Sequence, residues 1–127
     1  MKFGRDVRLT AQHEFRRVFA RPKVAQDGLF RILVRPSTEP RSRLGMAVSV
    51  KVCKQAPGRN RLKRIIRESF RQHQEQLNHA GPCDLVVLPR YQATTRSNDT
   101  LFNSLSRLWA RSTSLYGRAE RATSTEN

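Results

Sequence analysis

Apolar residues recur along this chain at two spacings, and the change from one to the other predicts the order of its elements. Behind Thr10, a residue type that caps helices, Ala11, Phe15, Val18 and Phe19 fall at helical spacing. Arg21-Pro22 ends that helix, since proline disfavours helical backbone in the residue before it. Gly28 opens a strand over residues 29–34, and residues 36–43, with two prolines and two serines, read as a turn. Residues 44–50 form a second strand of small and β-branched residues. After Pro57-Gly58 a long helical pattern runs from about residue 59 to residue 77. Gly81-Pro82 breaks the chain before a short buried strand over 84–88. Leu101, Leu105, Leu108 and Trp109 lie on one stripe of a last helix over about 98–112. From Gly117 onward the residues are polar and small. The expected organisation is one domain over 1–116 and a disordered tail over 117–127. The order of helix, two or three strands, helix, strand and helix makes an α+β or split α/β sandwich, and no internal repeat interrupts it.

Length and composition narrow this further. A chain of 127 residues admits one domain, and an apolar share of 37% suffices for one modest core. The longest apolar run is Leu85-Val86-Val87-Leu88, far too short for a membrane-spanning helix. The first thirty residues carry no apolar stretch of the kind a secretory signal needs. Cys53 and Cys83 stand apart with no C-x-x-C and no paired histidines, which fits neither a disulfide framework nor a zinc site. Reduced thiols in a cytoplasm are expected.

Charge then points to a partner. The chain carries 25 Lys and Arg against 10 Asp and Glu, a net charge of +15, and twenty of the bases are arginines. A positive excess of this size calls for a polyanion, and the preference for Arg favours phosphate, whose oxygens a guanidinium can bind in pairs. Composition leaves DNA and RNA both open. Residues 41–71 hold ten of the bases and one acid, Glu68. On a helical wheel Leu62, Ile65, Ile66, Phe70 and Leu77 take one face, while Asn60, Lys63, Arg64, Arg67 and Arg71 take the other with Arg61 at its edge. One face docks on a sheet and the other meets a polyanion; solvated helix faces ordinarily mix signs, and here the acids are missing. The positive end of the helix N-terminus adds to the same surface.

The string Arg43-Leu44-Gly45-Met46-Ala47-Val48-Ser49, then Lys51, then residues 59–71, which open Arg59-Asn60-Arg61-Leu62-Lys63-Arg64, resembles the signature of the bacterial ribonuclease P protein subunit. Phe15-Arg16-Arg17-Val18-Phe19, Asp84-Leu85-Val86-Val87 and Leu108-Trp109 extend the resemblance over about residues 7–116. There are departures. Val50 stands where the family has the first of two lysines, Cys53 stands where it has a glycine, and Pro57-Gly58 replaces bulkier residues. The resemblance implies an αβββαβα two-layer sandwich on a mixed four-stranded sheet with a left-handed βαβ crossover, against the usual hand. The missing strand then has one place left, Lys23-Val24-Ala25.

The function so implied is that of an RNA-binding subunit of a ribozyme that removes the 5′ leader of precursor tRNA. The holoenzyme is an endoribonuclease whose catalysis belongs to the RNA, with Mg²⁺ held by RNA and substrate; the expected partners are the RNA subunit and precursor tRNA, with no DNA and no membrane. By resemblance, Lys51, Lys54, Arg59, Asn60, Arg61, Lys63, Arg64, Arg67 and Arg71 meet the RNA subunit. Phe15, Phe19, Phe30, Ile32, Ala47 and Tyr116 line a cleft for the leader, where aromatic faces stack on bases without reading sequence. At i, i+4 spacing, Phe15 and Phe19 suit core packing as well as stacking. The residues themselves supply no apparatus for catalysis: the carboxylates are scattered, His13, His73 and His79 lie apart, and no nucleophile elbow occurs. A small ribosomal protein of similar fold is the alternative, opposed by the Arg-Asn-Arg helix and the aromatic first helix.

Overall fold

The computed structural model describes the backbone of residues 7–126 and the side chains of residues 7–115. Its elements are α1 (Gln12–Ala20), β1 (Lys23–Gln26), β2 (Phe30–Pro36), β3 (Arg43–Met46), α2 (Ala56–His79), β4 (Cys83–Pro89) and α3 (Asn98–Glu126), with a 3₁₀ turn at Tyr91–Thr95. The strand expected at Lys23 is β1, which pairs antiparallel with β2. The sheet order is β1-β2-β4-β3. β2 and β4 run antiparallel, and β3 and β4 run parallel with α2 crossing between them.

Strand alternation divides the apolar residues between two faces. Phe30, Ile32, Val34, Leu44, Leu85 and Val87 point to one, where Leu62, Ile66 and Phe70 of α2 and Leu101, Leu105 and Trp109 of α3 close over them. Leu33 and Val86 point to the other, where Leu9 and Val18 cover them. Helices therefore flank the sheet, with α2 and α3 forming one full layer and α1 a partial cover opposite. The α2–α3 seam is pinned by polar bonds: the Trp109 indole donates to Ser69 Oγ (2.8 Å), and the His73 ring bonds Ser69 O (2.7 Å) and Ser106 Oγ (2.9 Å).

Several boundaries differ from expectation, three of them for a visible local reason. The first helix is capped at Ala11 instead of Thr10, because the Glu14 carboxylate accepts the backbone N–H of both residues (3.1 and 3.0 Å). β3 stops at Met46, since past the Ala47 N–H bond to Val87 O (3.0 Å) the chain folds back, with Val52 and Cys53 N–H donating to Ser49 O. α2 starts at Ala56 because Pro57 falls in the first turn, where its missing N–H leaves no bond unmade. α3 continues past Ser112 to Glu126 as helical backbone; the side chains of 116–127, and with them Tyr116, lie outside the described residues.

Two departures from the family pattern fit each other. A Cβ built on Gly58 would lie 2.5 Å from Cys53 Sγ, so the thiol of one occupies the space a side chain at the other would need. Gly58→Ala should therefore show no gain in stability in the native chain, although alanine is intrinsically the better helix former by about 1 kcal/mol. In a Cys53→Ala background the same change should stabilise by about 0.5–1 kcal/mol. Denaturant midpoints of the four chains in that cycle test the coupling; additive effects would contradict it.

Candidate nucleic-acid interface

α2 presents its bases because its opposite face is consumed by the core: Leu62, Ile65, Ile66, Phe70 and Leu77 are all buried. Its first turn contains no acid, so the positive end of the helix is left uncompensated. The nine polar residues expected on this surface then fall into two groups. Three are used by the fold. The Arg59 guanidinium donates to Cys53 O (2.9 Å) and Lys54 O (2.8 Å), closing the loop before the helix. Arg61 donates to Asn98 Oδ1 (3.0 Å) and Arg96 O (2.6 Å), tying α2 to the start of α3. Arg71 pairs with Glu68 one turn back, and the pair holds the Glu68 carboxyl below its ordinary range. The side chains of the other six, Lys51, Lys54, Asn60, Lys63, Arg64 and Arg67, make no hydrogen bond or ion pair among the described residues.

A second surface lies where α1 crosses the sheet. Phe15 is half-buried and sits directly over β3: a Cβ on Gly45 would lie 2.6 Å from its ring, so only glycine lets the aromatic approach so closely. Beside it opens a cavity of about 370 Å³ lined by Phe15, Gly45, Met46, Arg8 and, from α2, Arg67. The basic face and the α1 cleft thus meet at one place. Phe19, one turn further on, is 47% exposed, so it is no core residue.

What seats α1 is a buried charge network. Asp84, fully buried on β4, accepts from Arg43 Nε (2.9 Å) and Nη2 (2.8 Å) and from Arg17 Nη1 (3.0 Å). Arg43 Nη1 donates to Glu14 (2.6 Å), and Arg17 Nη2 to Pro36 O (2.6 Å). The N–H of Ala11 is the main cause that holds the Glu14 carboxyl below its ordinary range; burial opposes it, and the Thr10 N–H and Arg43 assist. Asp84 in turn is the main cause that raises Arg43.

Residues 3–113 match the family described as Ribonuclease P. The chain belongs to the ribonuclease P protein family. It is 40% identical over 109 residues to the ribonuclease P protein component of Thioalkalivibrio sulfidiphilus, covering 86% of this chain and 88% of that one. To that of Vibrio cholerae it is 42% identical, covering 86% and 90%. Among solved structures, the RNase P protein of Thermotoga maritima matches with a TM-score of 0.70 at 31% identity, over 82% of this chain and 96% of that one. The RNase P protein of Staphylococcus aureus matches with a TM-score of 0.71 at 28% identity, over 80% and 91%.

Set in a ribonuclease P protein fold, the expected cleft residues do not all come together. Phe30 and Ile32 are fully buried beneath α2 and α3, on the sheet face opposite Phe15. Their placement in the cleft is corrected: on β2 the even-numbered side chains point into the main core, and Arg31 and Leu33 take the α1 side. Ala47 is half-buried at the end of the β3 ladder. Arg8, at the Phe15 cavity, and the network of Glu14, Arg17, Arg43 and Asp84 were not foreseen. Arg43 and Asp84 are cross-strand partners in the β3–β4 register, a pairing that exists only once two strands distant in sequence are neighbours.

Among the described residues no three His, Cys, Asp or Glu side chains gather in a way that could hold a metal ion. The carboxylates at these two surfaces, Glu14, Glu68 and Asp84, are already engaged by arginines. No helix of the described residues is long and apolar enough to cross a membrane.

Proposed function

We propose that this chain is the RNA-binding subunit of a ribonuclease P holoenzyme in the cytoplasm. It binds the catalytic RNA and orients the 5′ leader of precursor tRNA for endonucleolytic removal. The observation that carries this reading is the set of five cations and Asn60 on α2 and the preceding loop, which have no partner among the described residues of a chain with a net charge of +15. Cations left without acids gain most by meeting phosphates, and Asn60 offers both a donor and an acceptor to a nucleotide. Magnesium held by RNA and substrate supplies the chemistry of hydrolysis. The protein's part is electrostatic and positional: it lowers the repulsion between two RNA chains and holds the leader where the RNA can act on it.

The leader enters this reading through Phe15 and Phe19. Phe19 exposes a planar face from a helix whose other side is fixed to the sheet, which suits stacking on bases of any sequence. Phe19→Leu keeps most of the apolar volume and removes the plane. The reconstituted holoenzyme should then bind a precursor with a long leader several-fold more weakly, since each stacked base contributes on the order of 1–3 kcal/mol. Affinity for the RNA subunit should not change, and the deficit should vanish with a leader of one or two nucleotides. An equal loss for long and short leaders would assign Phe19 to packing.

A further inference from the structure

Tyr91 is 66% exposed, more than any other large hydrophobic residue described, and the RNA-binding and leader-binding surfaces above do not use it. It does not hang from a loose loop. The 3₁₀ turn that carries it is anchored by the fully buried Ala93, by Ala93 N–H donating to Arg90 O (3.0 Å), and by Thr94 Oγ1 donating to Tyr91 O (2.7 Å). Arg90 N–H in turn donates to Leu29 O (2.8 Å), which fixes the turn to the start of β2. The ring is presented from a rigid base.

Facing it is the loop before α2. Tyr91 and Thr94 line one side of an open cavity of about 410 Å³, and Lys51, Val52, Cys53 and Lys54 line the other. That volume falls in the range that holds small ligands. No acid lines it, and neither lysine side chain has a partner among the described residues. The Arg59 guanidinium holds the Cys53 and Lys54 carbonyls, so the loop opposite the ring is fixed as well. An exposed aromatic plane across a cavity from two free ammonium groups is the combination that single-stranded nucleic acid requires: a π face for the base and cations for the phosphates on either side.

We infer that Tyr91, Lys51 and Lys54 form a second docking site for one unpaired nucleotide of an RNA chain. The base stacks on the Tyr91 ring and the two lysines bind its flanking phosphates. The inference rests on the reading that this chain binds RNA, and adds to it a stacking site that shares no lining residue with the Phe15 cavity. Charge selects the occupant, because a protein partner at this cavity would have to bring its own acids against both lysines. Lys51 and Lys54 thereby bracket one nucleotide in place of adding to a diffuse positive field.

The chain has two tyrosines, Tyr91 and Tyr116, so 3-fluorotyrosine labelling gives two ¹⁹F resonances that a Tyr91→Phe variant assigns. The full-length protein is titrated with hexauridylate and with a ribose-phosphate hexamer of the same length lacking bases. The expected result is a Tyr91 resonance that moves with hexauridylate and not with the abasic chain. Affinity for hexauridylate should fall several-fold in Tyr91→Ala and persist in Tyr91→Phe. Lys51→Gln with Lys54→Gln should weaken binding of both hexamers and lower the salt dependence by one to two units of slope. A Tyr91 resonance that stays still at saturating hexauridylate, or responds equally to the abasic hexamer, overturns the site. Absence of hexauridylate binding overturns it too. Whether the chain binds the ribonuclease P RNA is measured separately by gel shift of the RNA with the unlabelled protein, so loss of the Tyr91 site and loss of the RNA-binding reading are told apart.

Discussion

Asp84→Ala is expected to lower the melting temperature by roughly 10–20 °C, the largest effect expected of any single substitution in this chain. Asp84 is the fully buried acceptor of three hydrogen bonds from two arginines, and it lies where β4, β3 and α1 meet. Its removal leaves Arg43, itself only 9% exposed, with Glu14 as its one remaining carboxylate and takes the ion pair from Arg17. Breaking a buried pair on one side typically costs about 3–5 kcal/mol, because the surviving charge stays in a poorly solvated place. Asp84→Asn keeps the shape and should recover part of the loss. Acid should loosen the same junction. The Glu14 carboxyl is held below its ordinary value of 4.5, so its stabilising share is fully present above that pH and is lost as pH falls through the lowered value. Thermal melts at neutral pH decide the matter; an Asp84→Ala chain that melts within two or three degrees of the native one would mean that the network contributes little.

Combining Lys63→Ala, Arg64→Ala and Arg67→Ala should weaken binding of the ribonuclease P RNA by about two to three orders of magnitude at moderate salt. The plot of log affinity against log salt should become shallower by about two to three units, one for each lost phosphate contact. These three side chains have no partner within the described protein, so the melting temperature should hold within about 2 °C. Arg61→Ala should behave in the opposite way. Its guanidinium is spent on Asn98 and the Arg96 carbonyl, so its loss should appear in the melt before it appears in RNA affinity. If the triple variant melts far lower with RNA affinity intact, the division of the α2 face into bound and free cations is wrong.

That division marks where the sequence stops being legible. Periodicity placed α2, its buried face and its basic face correctly, because a 3.6-residue repeat of apolar positions leaves one way to dock the helix. It could not tell Arg61 from Arg64 and Arg67. All three occupy the polar side, and the Arg96 carbonyl and the Asn98 amide that engage Arg61 belong to a segment whose approach is tertiary. β1 was the weakest element in the sequence, four residues with one buried side chain, and only its pairing with β2 makes it a strand. On β2 the run Phe30-Arg31-Ile32-Leu33-Val34 is apolar on both faces, so composition gave no sign of which residues faced α1; the structure sends Phe30 and Ile32 the other way. The charge network was hidden for a similar reason. Glu14, Arg17, Arg43 and Asp84 are spread over seventy residues of sequence and meet only because β3 and β4 are neighbours in the sheet and α1 lies across them.

On this reading the protein guides RNA and leaves the cutting to it. The most direct test is cleavage of a 5′-extended precursor tRNA by the purified chain, by the cognate RNA alone, and by the two together, over a range of Mg²⁺ concentrations. The protein alone should produce no cleavage at any Mg²⁺ concentration. The two together should cut at the mature 5′ end at Mg²⁺ concentrations where the RNA alone is nearly inactive, since the free cations of α2 stand in for ions that screen phosphate repulsion. Sustained, site-specific cleavage by RNA-free protein, or a holoenzyme that needs as much Mg²⁺ as the RNA alone, would contradict the account.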